Sequence, residues 1–257
     1  MTLVSDIISY MNELYPESLA EEWDNVGLLV GRKDKSVKKV LLTLDVDINV
    51  VNEAVENSVD IIISHHPVIF NPLKSITEET NEGKMFSLLI KNDISVYSAH
   101  TNLDMADGGL NDYAANLLGI NIEGILSEET GLGRYGSYDK EYTLNDIVLI
   151  CEKVFEEDKI RFVGDKNKKV EKVAIVTGSG MSEIDKCYEK KIDLFITGDV
   201  KYSGAREALN NNLCIIDAGH YGTEFIVVDL LYDVLIKKFS DIELIKSIKN
   251  TNVFDTI

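Results

Sequence analysis

Short apolar runs bounded by polar residues or glycine recur at Gly27–Val30, Val40–Leu44, Asp60–Ser64, Ser95–Ala99, Val173–Thr177, Asp193–Thr197 and Leu213–Asp217. Runs of this length, rich in Val, Ile and Leu, read as buried strands. Between them the apolar positions return at helical spacing. This predicts helices over Ile48–Glu56, Glu82–Lys91, Leu110–Leu118, Asn145–Phe155, Ser182–Lys190, Tyr202–Leu209 and a long final one over His220–Phe239. Leu3, Val4, Ile7, Ile8, Met11 and Leu14 add an amphipathic helical pattern within Met1–Tyr15. Strands alternating with helices favour parallel or mixed sheets covered by helices, an α/β fold.

Part of the pattern occurs twice. Val40–Leu44 leads through a helix into Asp60–Ser64, and Val173–Thr177 leads at the same offset into Asp193–Thr197. Each copy continues to a further strand followed by a histidine with a carboxylate four positions on, His100 and Asp104 in the first, His220 and Glu224 in the second. Two related α/β halves are expected, 1–127 and 128–257, with the C-terminal segment able to swap into the first half. In the register of the repeat His65 and His66 match Gly198 and Asp199, so the copies differ where the histidines cluster. Gly131-Leu132-Gly133-Arg134-Tyr135-Gly136 lacks the spacing of a phosphate loop and reads as a turn joining the halves, with Arg134 able to reach an anionic ligand.

Charge narrows the partners. Among 257 residues, 44 acidic against 26 basic side chains give a net charge of −18, which disfavours nucleic acid and anionic membranes. Cys151, Cys187 and Cys214 are widely spaced, so neither a disulfide framework nor a zinc ribbon is expected. No segment approaches the ~20 apolar residues of a membrane span, and the start of the chain lacks the basic flank of a signal peptide. A cytoplasmic protein is expected.

All four histidines lie in three segments that each follow an apolar run: Ser64-His65-His66-Pro67, His100-Thr101-Asn102-Leu103-Asp104 and His220-Tyr221-Gly222-Thr223-Glu224. In open α/β sheets ligands collect outside the carboxyl ends of strands, where these residues fall. Imidazole nitrogens beside carboxylates suit divalent metal ions, and the donors exceed what one tetrahedral ion needs. His220 and Glu224, spaced i and i+4, share one face if the last helix begins at His220. His100 and Asp104 are expected on a loop before the helix near Leu110. Trp23 is expected in the core rather than stacked on a substrate. Asp24 and Asn25 either hydrogen-bond ligand imidazoles or cap a turn.

With Glu22-Trp23-Asp24-Asn25-Val26-Gly27, the three histidine segments, the glycine-rich stretch from Gly131 and Thr197-Gly198-Asp199, the chain resembles the Nif-three-like family, often named GTP cyclohydrolase 1 type 2 homologues. The likeness runs over nearly the whole length. It implies two similar, intertwined three-layer α/β/α domains with mixed sheets, a dinuclear divalent-metal centre and a homohexamer. By position it implies His65, His66, Asp104, His220 and Glu224 as ligands, with Glu224 bridging the ions and His100 either supporting the ligands from behind or moving protons; His100 and Glu224 are the catalytic candidates. The metal is left open among Zn, Fe, Mn, Co and Ni. Two features depart from the family: there is no room for the large domain that some relatives insert between the halves, and Ser203 stands where many carry a histidine.

Hydrolysis is the chemistry such a centre implies, and the family name suggests GTP cyclohydrolase-like ring opening of a nucleotide. Two other readings stand beside it: a non-catalytic metal-binding or protein-interaction scaffold, and a metal-dependent phosphoesterase.

Overall fold

The computed structural model describes residues 1–157 and 159–254. In chain order its elements are α1 (Val4–Leu14), β1 (Gly27–Val30), β2 (Lys39–Thr43), α2 (Ile48–Glu56), β3 (Ile61–Ser64), α3 (Asn81–Lys91), β4 (Ser95–Ser98), α4 (Thr101–Met105), α5 (Leu110–Leu117), β5 (Asn121–Ile125) and β6 (Arg134–Thr143). Then come α6 (Leu144–Val154), β7 (Arg161–Val163), β8 (Lys169–Ile175), α7 (Ile184–Glu189), β9 (Leu194–Thr197), α8 (Tyr202–Asn210), β10 (Cys214–Asp217), α9 (His220–Phe225), α10 (Val227–Lys238) and β11 (Glu243–Lys246). The protein is α/β with two mixed sheets, ordered β1-β4-β3-β2-β11 and β5-β6-β8-β9-β10-β7.

By its contacts the chain forms two units. The first holds Met1–Ala106 and Val227–Val253, the second Asp107–Ile226 and Phe254. The division thus falls at Ala106/Asp107, upstream of the 127/128 division expected from the repeat. The physical reason is that β5 pairs with β6 in the second sheet, and α5, which precedes β5, goes with it. At the C-terminus β11 pairs in parallel with β2, so the last strand belongs to the first sheet.

The first unit builds its sheet from parallel β2, β3 and β4, with β1 antiparallel on β4. The second does the same with β8, β9 and β10, and with β7 antiparallel on β10. The elements also follow one another in the same order, α1-β1-β2-α2-β3-α3-β4-α4 against α6-β7-β8-α7-β9-α8-β10-α9. One detail survives in both. Oδ2 of Asp60 accepts from the Lys38 and Lys39 amides, and Oδ2 of Asp193 accepts from the Glu171 and Lys172 amides. Each carboxylate thereby ties the start of one strand to its neighbour.

The apolar faces expected from the pattern fill the two cores. Leu41, Val51, Ile62, Phe86, Leu89 and Val96 pack in the first unit. Ala174, Cys187, Phe195, Ala208, Leu213 and Ile215 pack in the second. The three cysteines are buried and free. Burial pushes the Cys151 and Cys187 thiols above their usual range, so they act as small core residues. Among the described residues no helix is long and apolar enough to cross a membrane.

Several elements escape the hydrophobic pattern. β5 separates its two isoleucines by Glu123 and Gly124, β6 is dominated by polar and charged side chains, and β7 and β11 are short edge strands, so none presents an apolar run. The Gly131–Gly136 stretch does not join two halves. Gly131 and Gly133, both at positive φ, turn β5 back into β6 within the second unit. The segment after His100 is not a loop, since Thr101–Met105 is a helical turn with all five residues buried. The final helix is interrupted at Ile226, giving α9 and α10.

Candidate metal centre

In the first unit His65 and His66 directly follow β3, and His100 follows β4 as the N-cap of α4. Because β3 and β4 are parallel neighbours in register, Ser64 against Ser98, their carboxyl ends deliver the three imidazoles to one place. Ring centroids are 5.3 Å apart for His65 and His66, 5.1 Å for His65 and His100, and 5.6 Å for His66 and His100. One nitrogen from each lies within 4.8 Å of the other two. Asp104, on α4, brings Oδ1 to 3.7 Å from Nε2 of His65. His65, His66, His100 and Asp104 are therefore neighbours.

Each ring is oriented by its Nδ1. That atom lies 2.8 Å from the Ala99 carbonyl oxygen in His65, 2.7 Å from Asp45 Oδ1 in His66 and 3.0 Å from Asp24 Oδ1 in His100. A carbonyl oxygen can only accept, so Nδ1 of His65 carries the hydrogen and Nε2 of the neutral ring holds the lone pair. The carboxylates impose the same tautomer on His66 and His100. This is the outer-shell pattern that aims and strengthens imidazole ligands.

The supporting residues are held in turn. The buried Asp24 also accepts from the Thr101 amide and hydroxyl through Oδ2. Burial alone would raise its pKa, but hydrogen bonds from His100 and Thr101 prevail and hold it near 2. Asn102, fully buried, accepts from the His100 amide and donates to the Tyr15 carbonyl. Asn250 accepts from the Leu44 and Asp45 amides and donates to Asp45 Oδ2, fixing the carboxylate that orients His66.

In the second unit His220 begins α9 after β10, and Glu224 lies one turn on, as the i, i+4 spacing requires. His220 Nε2 is 2.9 Å from Glu224 Oε2, and its Nδ1 is 2.8 Å from Asp199 Oδ2. The hydrogen bond to Glu224, reinforced by Asp199, outweighs partial burial and raises the His220 pKa to about 9.

The backbone leaves room for these side chains. A Cβ on Gly178, which sits at φ +63°, would lie 1.9 Å from Glu224 Oε1 and 3.4 Å from His220 Nε2. Gly198 has the same constraint, since a Cβ there would lie 2.7 Å from the His220 amide nitrogen. In the register of the repeat Gly178 stands where the first unit has Asp45.

Among the described residues two groups of side chains thus could hold metal ions: His65, His66 and His100, and a group that includes His220 and Glu224. Neutral imidazoles with fixed tautomers, carboxylates and a small-residue cradle fit a borderline divalent cation. Asp45 went unnoticed in the sequence. Its only signal is its place at the carboxyl end of β2.

Two expectations are corrected. Trp23 is not a core residue, being 59% exposed, because its neighbour Asp24 takes the inward position. Arg134 does not reach out to an anionic ligand. Its guanidinium is buried, with Nε and Nη2 on Asp112 and Nη1 on the Gly131 and Gly133 carbonyls.

Known proteins share the sequence pattern and the fold. The Duf34/NIF3 (NGG1p interacting factor 3) family model matches residues 2–253. A GTP cyclohydrolase 1 type 2 homolog of Clostridium acetobutylicum is 38% identical, over 86% of this chain and 85% of that protein. One of Clostridium perfringens is 36% identical over 99% of both. Among solved structures, a Staphylococcus aureus hypothetical protein superimposes with a TM-score of 0.92 at 30% identity, covering 99% of each chain. A Bacillus cereus protein related to NIF3 gives 0.89 at 27% identity, covering 100% of this chain and 99% of its own. The chain has the NIF3-like fold and belongs to the Duf34/NIF3 family, as a GTP cyclohydrolase 1 type 2 homologue.

Proposed function

We propose that the protein is a metal-dependent hydrolase holding two divalent ions, with His65, His66, Asp104, His220 and Glu224 as ligands and Glu224 as the bridging carboxylate. The observation that carries this reading is the shared orientation of all four histidines, each with Nδ1 on an oxygen acceptor. A ligand imidazole needs its other nitrogen held in this way, so that the free Nε2 is aimed and made more basic. Two ions bound there would activate water as a nucleophile and polarise a substrate oxygen.

The chain's own groups supply the rest. His100, with Nδ1 held by Asp24, presents Nε2 as a general base and then as a general acid to the leaving atom. The buried carboxylate orients the ring and stabilises it when charged. His65, with little freedom at zero exposure, keeps its nitrogen aimed without cost in side-chain entropy at the moment of binding.

For substrate we propose a nucleotide opened at its purine ring, on the strength of the names of the Clostridium relatives. The proposal includes a homohexamer and a cytoplasmic setting. Metal-loaded protein is incubated with GTP and a panel of phosphoesters, following ring opening by absorbance and phosphate release separately. Ring opening that His100→Ala abolishes supports the reading. Phosphate release alone makes the protein a phosphoesterase, and inactivity toward the whole panel leaves a metal-binding scaffold.

A further inference from the structure

Trp23 and Asp24 are adjacent, yet one faces solvent and the other the interior. Asp24 binds His100 and Thr101. Trp23 stays 59% exposed, its ring centroid 5.9 Å from that of Phe70, itself 55% exposed. On its other side Trp23 meets His100 edge to face at 6.0 Å. The segments bearing the two aromatics are tied together, since Asn25 Nδ2 donates to the Ile69 carbonyl at 2.6 Å. Two large rings are thus held in water by hydrogen bonds one residue away, beside the His65, His66 and His100 group.

We propose that Trp23, with Phe70 tilted at 56° against it, forms a ledge that stacks the planar heteroaromatic ring of a purine nucleoside or nucleotide on the indole, flanks it with the phenyl ring and presents it to His100. This rests on the hydrolase reading above and deepens it. Stacking on an aromatic ring tightens binding roughly 5- to 150-fold per base, and any purine offers the π face it needs. Two rings are too small a surface for the core of a protein interface. Glu21 and Glu22 precede Trp23 and give phosphate no attraction, so the ledge selects the ring itself.

Trp23 is the only tryptophan of the chain, so its fluorescence reports on the ledge alone. The metal-loaded full chain is titrated with guanosine, GTP and ribose 5-phosphate. Guanosine and GTP quench the emission saturably and ribose 5-phosphate does not. Phe70→Ala, a change at an exposed position, weakens guanosine binding about tenfold with metal content unchanged. Emission indifferent to guanosine and GTP, or binding equal in Phe70→Ala, overturns the ledge. So does quenching that follows protein concentration together with sedimenting mass, which would mean a second copy covers the rings. Quenching without turnover keeps the ledge and removes the hydrolase. Nucleotide turnover undiminished in Phe70→Ala and Trp23→Ala does the reverse.

Discussion

Nδ1 of His100 lies 3.0 Å from Oδ1 of Asp24, a carboxylate that also takes the Thr101 amide and hydroxyl and whose side chain is fully buried. That one acid both aims the imidazole and closes the first turn of α4. Asp24→Asn keeps the shape and removes the charge. Turnover is expected to fall ~10–100-fold with both metals retained, which elemental analysis beside a rate measurement checks. Because the folded-state pKa of Asp24 is depressed to about 2, its contribution to stability is present above the ordinary carboxylate range and lost as pH falls through 2. Acid unfolding of Asp24→Asn should lack that part of the wild-type pH dependence.

His220 titrates the opposite way. Its pKa is raised to about 9 by Glu224 and Asp199, so in the metal-free protein its contribution to stability is full below the ordinary histidine pKa and lost as pH rises through 9. A cation must displace this proton. Apparent metal affinity should therefore climb by about tenfold per pH unit from neutrality toward 9, and flatten above it. Chelator competition at several pH values measures the slope, which His220→Ala should abolish.

Gly178 tests the cradle. Its φ of +63° and the 1.9 Å approach of a would-be Cβ to Glu224 Oε1 leave alanine no place unless Glu224 moves. Gly178→Ala should destabilise the fold by ~1–3 kcal/mol and lower metal content, read by denaturant unfolding and elemental analysis. Full stability with full metal content would mean the Glu224 position is not needed.

The C-terminal segment is expected to matter at a distance from its own strand. Asn250 accepts from the Leu44 and Asp45 amides and donates to Asp45 Oδ2, and Asp45 orients His66. Asn250→Ala should weaken metal binding ~10-fold with a smaller effect on thermal unfolding than Gly178→Ala. Rescue by Asn250→Asp, which keeps the acceptor for both amides but repels Asp45, should be partial.

Much of this was legible in the residues, for identifiable reasons. The parallel core strands are continuous apolar runs, so β2, β3, β4, β8, β9 and β10 stand out, and the common offset of Val40–Asp60 and Val173–Asp193 exposes the repeat. β6 is invisible to the same reasoning because Ser137 to Thr143 carries few apolar residues. The histidine clusters were legible because four rare residues follow strand ends. Their anchors were harder: Asp45 and Ala99 lie far from their imidazole partners in sequence, and a backbone carbonyl leaves no residue-type signal at all. Tryptophan is usually buried, so residue type alone places Trp23 in the core, and the inward turn of Asp24, the next residue, appears only with His100 in position.

The metal content of the untagged protein bears most directly on the proposed service of the four anchored histidines to two divalent ions. Two ions per chain are expected in the wild type and at most one in Glu224→Ala. About two ions retained by that variant, or none bound by the wild type after reconstitution, would contradict that proposal.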